Sequence, residues 1–299
     1  MSAHVGINRD ALRRLLEIAR DEDLGEHGDV TSRLLPETTL VAQGRWVLRS
    51  RQSGRVCGVE LLPDMLEVLA PAVELEWVTA KPPTQFVETG EDLARFRGNV
   101  GQMFAAERVM LNFLQHLSGV ATLTARFVSE VAGTGAKIYD TRKTTPGLRD
   151  LEKYAVRCGG GHNHRIGLYD AVLIKDNHLA DIPTARLAHC VFDMLNRLPL
   201  LPSTPAFVEV ECDSLEQAAE LFKVVGIDVI LLDNFEPPRL REAVALRDQA
   251  GLRGKVELEA SGGATLQSVR ATAETGVERI SVGAITHSAP ILDLGLDAE

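Results

Sequence analysis

Cysteine is sparse in this chain: four residues in 299, at Cys57, Cys158, Cys190 and Cys212. None forms a CxxC pair, and the spacings suit neither a zinc site nor a disulfide framework, so free thiols are expected. Long apolar runs are missing as well. No stretch approaches the ~18 residues of a membrane span. The leading MSAHVGINRDALRRLLEIAR has no uninterrupted apolar core, which argues against a secretory signal. The expected location is cytoplasmic. Positive charge is in deficit, with 32 Lys and Arg against 42 Asp and Glu and a net charge of −10. Coating nucleic acid needs clustered positive charge, so that class is excluded, and any anion must be held by a local basic site. Repeats and low-complexity tracts are absent too. With 45% hydrophobic and 25% charged residues the chain has ordinary globular composition. Its length suits one large α/β domain plus a smaller partner.

The first third reads as mixed α/β. Asn8 is placed to cap a helix carrying Leu12, Leu15, Leu16 and Ala19 on one face. An acidic loop (21–32) follows, then strand-like pieces at 43–50, 74–80 and 91–98 and a short helix at 60–70. Two helices are expected next, 103–119 and 120–133, separated at Gly119 and forming the hinge between domains. The first buries a stripe of Met110, Phe113, Leu114 and Leu117. The division is placed near 128: an N-terminal domain over 1–128, a second domain over 129–288, and an apolar tail (289–299) returning to the first.

From about residue 136 the pattern changes. Six short apolar runs appear: AKIYD (136–140), YDAVLIK (169–175), AFVEVE (206–211), IDVILLD (227–233), KVELEAS (255–261) and RISVGA (279–284). They read as strands buried on both faces. Helix-length segments at 183–198, 214–225, 237–250 and 265–275 separate most of them. Repeated strand–helix units imply a parallel sheet closed as a barrel, with six strands rather than eight.

Barrel chemistry lies at the C-terminal ends of the strands. The runs end in or beside Asp140 and Arg142, Lys175, Glu211, Asp233, Ser261 and Gly283. A charged residue ending a buried run must face a solvated mouth or a partner. Between 137 and 178, eight Lys and Arg stand against five Asp and Glu, a positive patch in an acidic protein that suggests an anionic ligand. Arg142 and Lys143 suit carboxylate or phosphate. His164 and Arg165 sit on a glycine-flanked loop; His162 and His164 read as hydrogen-bonding residues rather than a metal pair. Lys137, Arg149, Lys153 and Arg157 read as solvated loop charges. Glu211 and Asp233, on neighbouring strands, suit Mg²⁺, an acid–base pair or a structural pair. SGGA (261–264), opening a helix near Thr265, and SVGA (281–284) offer backbone N–H groups to a phosphate.

Together these residues resemble the quinolinate phosphoribosyltransferase family. The matching segments are 140–178, VEVECDSLEQA (208–218), ILLDNF (230–235), LEASGG (258–263) and ISVGAITHS (280–288), with ERVMLNFLQHLSGVAT (107–122) and GDVTS (28–32) upstream. The family often has a small polar residue where this chain has Ala260. The resemblance implies an N-terminal α/β sandwich domain plus a six-stranded parallel α/β barrel, type II phosphoribosyltransferase-like. It implies transfer of phosphoribosyl from 5-phosphoribosyl-1-diphosphate to quinolinate with decarboxylation, a Mg²⁺ requirement, and a homodimer or dimer-based hexamer. It also implies site roles. Arg108 of the neighbouring subunit, Thr141, Arg142, His164, Arg165 and Lys175 receive quinolinate. Lys143 meets the diphosphate or a ring carboxylate. Glu211 and Asp233 hold Mg²⁺ directly or through water. Ser261, Gly262, Gly263, Ser281, Val282 and Gly283 cradle the 5-phosphate. Lys143, Lys175, Glu211 and Asp233 are the catalytic candidates. Three rivals stand beside this reading: a same-fold enzyme that takes another pyridine acid such as nicotinate or serves molybdenum uptake, a barrel aldolase with Lys175 as Schiff base, and a non-catalytic anion-binding or scaffold protein.

Overall fold

The computed structural model describes residues 7–79 and 85–299, so the end of the strand expected at 74–80 lies outside the described residues. The chain forms two compact units. One comprises Met1–Ala125, Thr145–Gly160 and Thr286–Glu299; the other, Arg126–Thr144 and Gly161–Ile285. Among the described residues, no helix is long and apolar enough to cross a membrane.

The first unit begins with the helix Arg9–Leu24. Asn8 caps it by accepting from the Ala11 N–H at 3.1 Å, and Leu12 and Leu16 are buried. Strands β1 (Gln43–Ser50), β2 (Gly54–Arg55), β3 (Val73–Val78), β4 (Phe86–Val87) and β5 (Asp92–Asn99) follow. β1, β3 and β5 build an antiparallel sheet whose remaining strand comes from the apolar tail. The helix Arg149–Cys158, placed with the barrel by the sequence division, belongs to this unit. On it Lys153 is only 1% exposed, so the expectation of a solvated charge there is corrected.

A second correction concerns the two expected helices. They are one helix, Val100–Glu130. Gly119 does not break it, because a single glycine costs a helix only ~1 kcal/mol. The glycine serves close packing instead: a Cβ there would lie 2.1 Å from the Pro290 carbonyl oxygen. Gly119→Ala, which in an open helix would stabilise, is therefore expected to lower stability by ~1–3 kcal/mol. Urea unfolding checks the sign.

The second unit holds β6 (Lys137–Tyr139), β7 (Val172–Ile174), β8 (Val208–Cys212), β9 (Val229–Asp233), β10 (Glu257–Ser261) and β11 (Arg279–Ser281). The tail strand is β12 (Leu294–Ala298), antiparallel to β1. β6 to β11 form one parallel sheet in the order β6-β11-β10-β9-β8-β7. Residues on or just after all six strands line a single cavity, so the sheet is curled into a barrel. β6 and β7 are its edges, and the segment around His162 runs along β6: His162 N–H donates to Ile138 O (2.8 Å) and Asp140 N–H to His162 O (3.0 Å).

The barrel strands are not apolar on both faces as expected. Val208, Val210, Ile230, Leu232, Leu258 and Ile280 make one face. Alternate positions carry Glu209, Glu211, Asp233, Glu259 and Arg279, since side chains two apart share a face.

Candidate active site

A cavity of about 650 Å³ opens at the C-terminal ends of the barrel strands. The loop after β6 supplies Thr141, Arg142 and Lys143, with the Lys143 N–H donating to Thr141 Oγ1 at 2.9 Å. Lys175 directly follows β7, β8 presents Glu211, β9 Asp233, β10 Ser261 and β11 Ser281. His164 and Arg165 enter from the segment beside β6. The buried Asp140 carboxylate fixes that segment by accepting from the His164 N–H (2.8 Å) and from Asn163 Nδ2 (2.5 Å).

Four cations, Arg142, Lys143, Arg165 and Lys175, therefore meet three carboxylates, Glu211, Asp233 and Glu259. Lys175 Nζ donates to Glu211 Oε2 at 2.6 Å, and Asn234 Nδ2 donates to Asp233 Oδ2 at 2.6 Å. The Arg142 Nε–H is sealed from solvent and has no acceptor among the described residues. Burial first, and then the like charge of Arg142, lower the pKa of the Arg165 guanidinium, while Glu209 and Asp170 oppose the shift. It remains charged, because arginine's ordinary value is so high. The arrangement can bind a multiply charged anion and steady an oxygen-rich neighbour.

The glycine loop after β10 has a specific steric reason. Gly262 has φ +103° and Gly263 φ +58°, and a Cβ on Gly262 would sit 2.0 Å from Asn234 Oδ1. Asn234 itself is left-handed (φ 55°), and its N–H donates to the Ser261 carbonyl at 2.8 Å. Strain of this kind persists where surrounding structure over-determines it.

Most residues singled out from sequence line this cavity, and some do not. Val282 and Gly283 are absent from its lining, and the Val282 N–H donates to Tyr139 O at 2.9 Å. The helix expected at Thr265 begins at Val269, after a Thr265–Ser268 turn. Arg108 is exposed on Val100–Glu130 and is not among the lining residues. His162 stacks on Tyr139 with ring centroids 5.3 Å apart. His164 lines the cavity, but its Nδ1 accepts the Arg165 N–H (2.8 Å), and its Nε2 lies 2.7 Å from Glu209. Sequence reasoning missed Asn234 and Glu259. The alternating Glu in VEVE and ELEAS was the available signal.

A parallel barrel whose strand ends gather fixed cations and a glycine turn defines an enzyme for small anionic substrates. The chain belongs to the quinolinate phosphoribosyl transferase family. Residues 120–297 match the model of that family's C-terminal domain, and residues 29–118 match its N-terminal domain. A nicotinate-nucleotide pyrophosphorylase [carboxylating] of Mycobacterium leprae is 40% identical over 97% of this chain and 96% of its own. A probable enzyme of the same name from Bacillus subtilis is 36% identical, covering 97% and 94%. The solved nicotinate-nucleotide pyrophosphorylase of Francisella tularensis superposes with a TM-score of 0.85 at 35% identity, covering 98% of each chain.

Proposed function

We propose that this pentosyltransferase joins quinolinate to 5-phosphoribosyl-1-diphosphate, releasing diphosphate and CO₂ and yielding nicotinate mononucleotide for de novo NAD synthesis. The observation that carries this reading is the convergence of four cations on one cavity, including a buried Arg142 Nε–H without an acceptor among the described residues. A pyridine with two adjacent carboxylates matches that charge better than a monocarboxylate does.

Arg142 and Arg165 pair with the carboxylates and aim the ring nitrogen at ribose C1, an entropic contribution made before chemistry begins. The nitrogen attacks as the C1–O bond to diphosphate breaks, and positive charge develops on the ribose. Glu211 and Asp233 face that charge, and Lys143 and Lys175 face the departing anion. The C2–carboxylate bond then breaks; CO₂ departs, the electron pair stays on C2 beside the positively charged ring nitrogen that stabilises it, and a proton from water completes the C2–H bond of the product. Ser261, Gly262, Gly263 and Ser281 receive the 5-phosphate.

Mg²⁺ fits the residues present: Glu211 and Asp233 are oxygen donors from neighbouring strands opening on one cavity, the donor set of a hard cation that keeps waters. When bound, it would offset negative charge on the diphosphate. Lys175 Nζ is engaged by Glu211 at 2.6 Å, which commits it to an ion pair rather than to a Schiff base. The reading includes a cytoplasmic homodimer or dimer-based hexamer in which Arg108 of the partner completes the site.

The test is turnover with 5-phosphoribosyl-1-diphosphate and Mg²⁺. Quinolinate is expected to give diphosphate and CO₂ in equal amounts, with nicotinate a poor substrate. Preference for nicotinate, or diphosphate release without CO₂, refutes the reading.

A further inference from the structure

Beneath the site's charged rim lies a second charged layer. Glu211 and Ser261 line the cavity, and two residues earlier on the same strand faces stand Glu209 and Glu259, of which Glu259 also lines the cavity. Arg279 stands two before Ser281. Barrel interiors are ordinarily filled with branched apolar side chains. Here Glu209 and Glu259 are 0% exposed and Arg279 is 5% exposed. Burying three charges is costly unless they are held by one another.

Arg279 Nε lies 2.7 Å from Glu259, and its guanidinium sits over Tyr139 at 4.1 Å and Phe207 at 5.1 Å. His164 Nε2 lies 2.7 Å from Glu209 and 3.6 Å from Glu259, with Phe207 edge-on to the ring. The opposite ring nitrogen, Nδ1, accepts the backbone N–H of Arg165. An Nδ1 that accepts is bare, so the ring proton is assigned to Nε2, facing the carboxylates. His164 thus stands as a strut between the buried carboxylates and the backbone of a substrate-facing arginine, in close contact with Glu209 although neither carboxylate meets hydrogen-bond geometry there. Arg165 needs such an anchor: it is 8% exposed and feels the like charge of Arg142. The ligand atoms of His164, Glu209 and Glu259 also lie within 4.8 Å of one another, close enough for a metal ion. Arg279 already supplies the positive charge there, which favours a strut over a metal centre.

We propose that Glu209, Glu259 and Arg279 are positioning residues that act through His164 to hold Arg165 against Arg142, and so set the affinity for quinolinate. The proposal deepens the reading given above and rests on it for the identity of the substrate. It assigns His164 a role without direct polar contact to the ligand.

The test uses full-length Glu209→Gln and Glu259→Gln, each of which keeps the side chain's shape. The quinolinate KM is expected to rise on the order of 10- to 100-fold, as for a displaced positioning group, with the KM for 5-phosphoribosyl-1-diphosphate little changed. Either variant suffices if the other does not fold. Unchanged quinolinate kinetics overturns the proposal, as does loss of both substrates in step with thermal stability. ¹⁵N spectra of the His164 ring in the wild type give an independent readout: Nε2 protonated and Nδ1 bare is expected. A protonated Nδ1 overturns the strut. If the wild type does not turn over quinolinate, the substrate reading fails, and the ¹⁵N result still decides the tautomer and the network.

Discussion

Arg142→Ala is expected to lower kcat/KM for quinolinate by roughly 10²- to 10³-fold. Removing one partner of a desolvated charge pair costs about 2–5 kcal/mol, and each 1.4 kcal/mol is tenfold. Arg142 is the residue to choose because its Nε–H is buried with no acceptor among the described residues. Arg142→Lys should recover only part of the activity, since an ammonium lacks the planar fork that grips a carboxylate. The loss should fall on quinolinate and spare 5-phosphoribosyl-1-diphosphate. Steady-state kinetics with each substrate varied in turn checks this. Equal losses for both substrates would place Arg142 elsewhere in the mechanism.

The pH dependence of stability is the second large effect. Glu259 is fully buried, and its pKa is pushed up from 4.5 to about 7, chiefly by desolvation and then by Glu209. His164, Arg279 and Ser281 pull it the other way, and desolvation wins despite the 2.7 Å ion pair. The sign follows from proton counting. Between pH 4.5 and 7 the folded chain keeps a proton that the unfolded chain has released. This contribution is therefore full below 4.5 and lost as pH rises through 7. At 1.36 kcal/mol per pKa unit one such group is worth up to about 3 kcal/mol, less because Glu209 titrates with it. Glu259→Gln cannot ionise, so its stability should fall less steeply than the wild type over this range. Urea midpoints at a series of pH values give the two slopes. Parallel curves would mean that Glu259 is ionised in the fold throughout.

Local features were legible because they depend on residues close in the chain. Asn8 caps its helix wherever that helix packs. A charged residue closing an apolar run marks the mouth of a barrel, and Lys175, Glu211 and Asp233 do line one cavity. The SGG turn was visible for the same reason, since glycine adopts the left-handed φ at 262 and 263 without steric cost. The alternating glutamates of VEVE and ELEAS were equally visible. They were read as part of apolar strands because β propensity does not say which face looks inward.

Other features belong to the assembled fold. Lys153 looks like any surface lysine in the sequence, yet it is buried. Gly119 looks like a helix breaker, yet it makes room for the Pro290 carbonyl. Asn234 became part of the site because the β9 and β10 loops meet there, and His164 reaches Glu209 because its segment runs along the edge of β6. The order of residues settled which strands would form and which charges would stand at their ends. Curling of the sheet decided which charges face one another and which face substrate, because those distances are set by contacts between segments far apart in the chain.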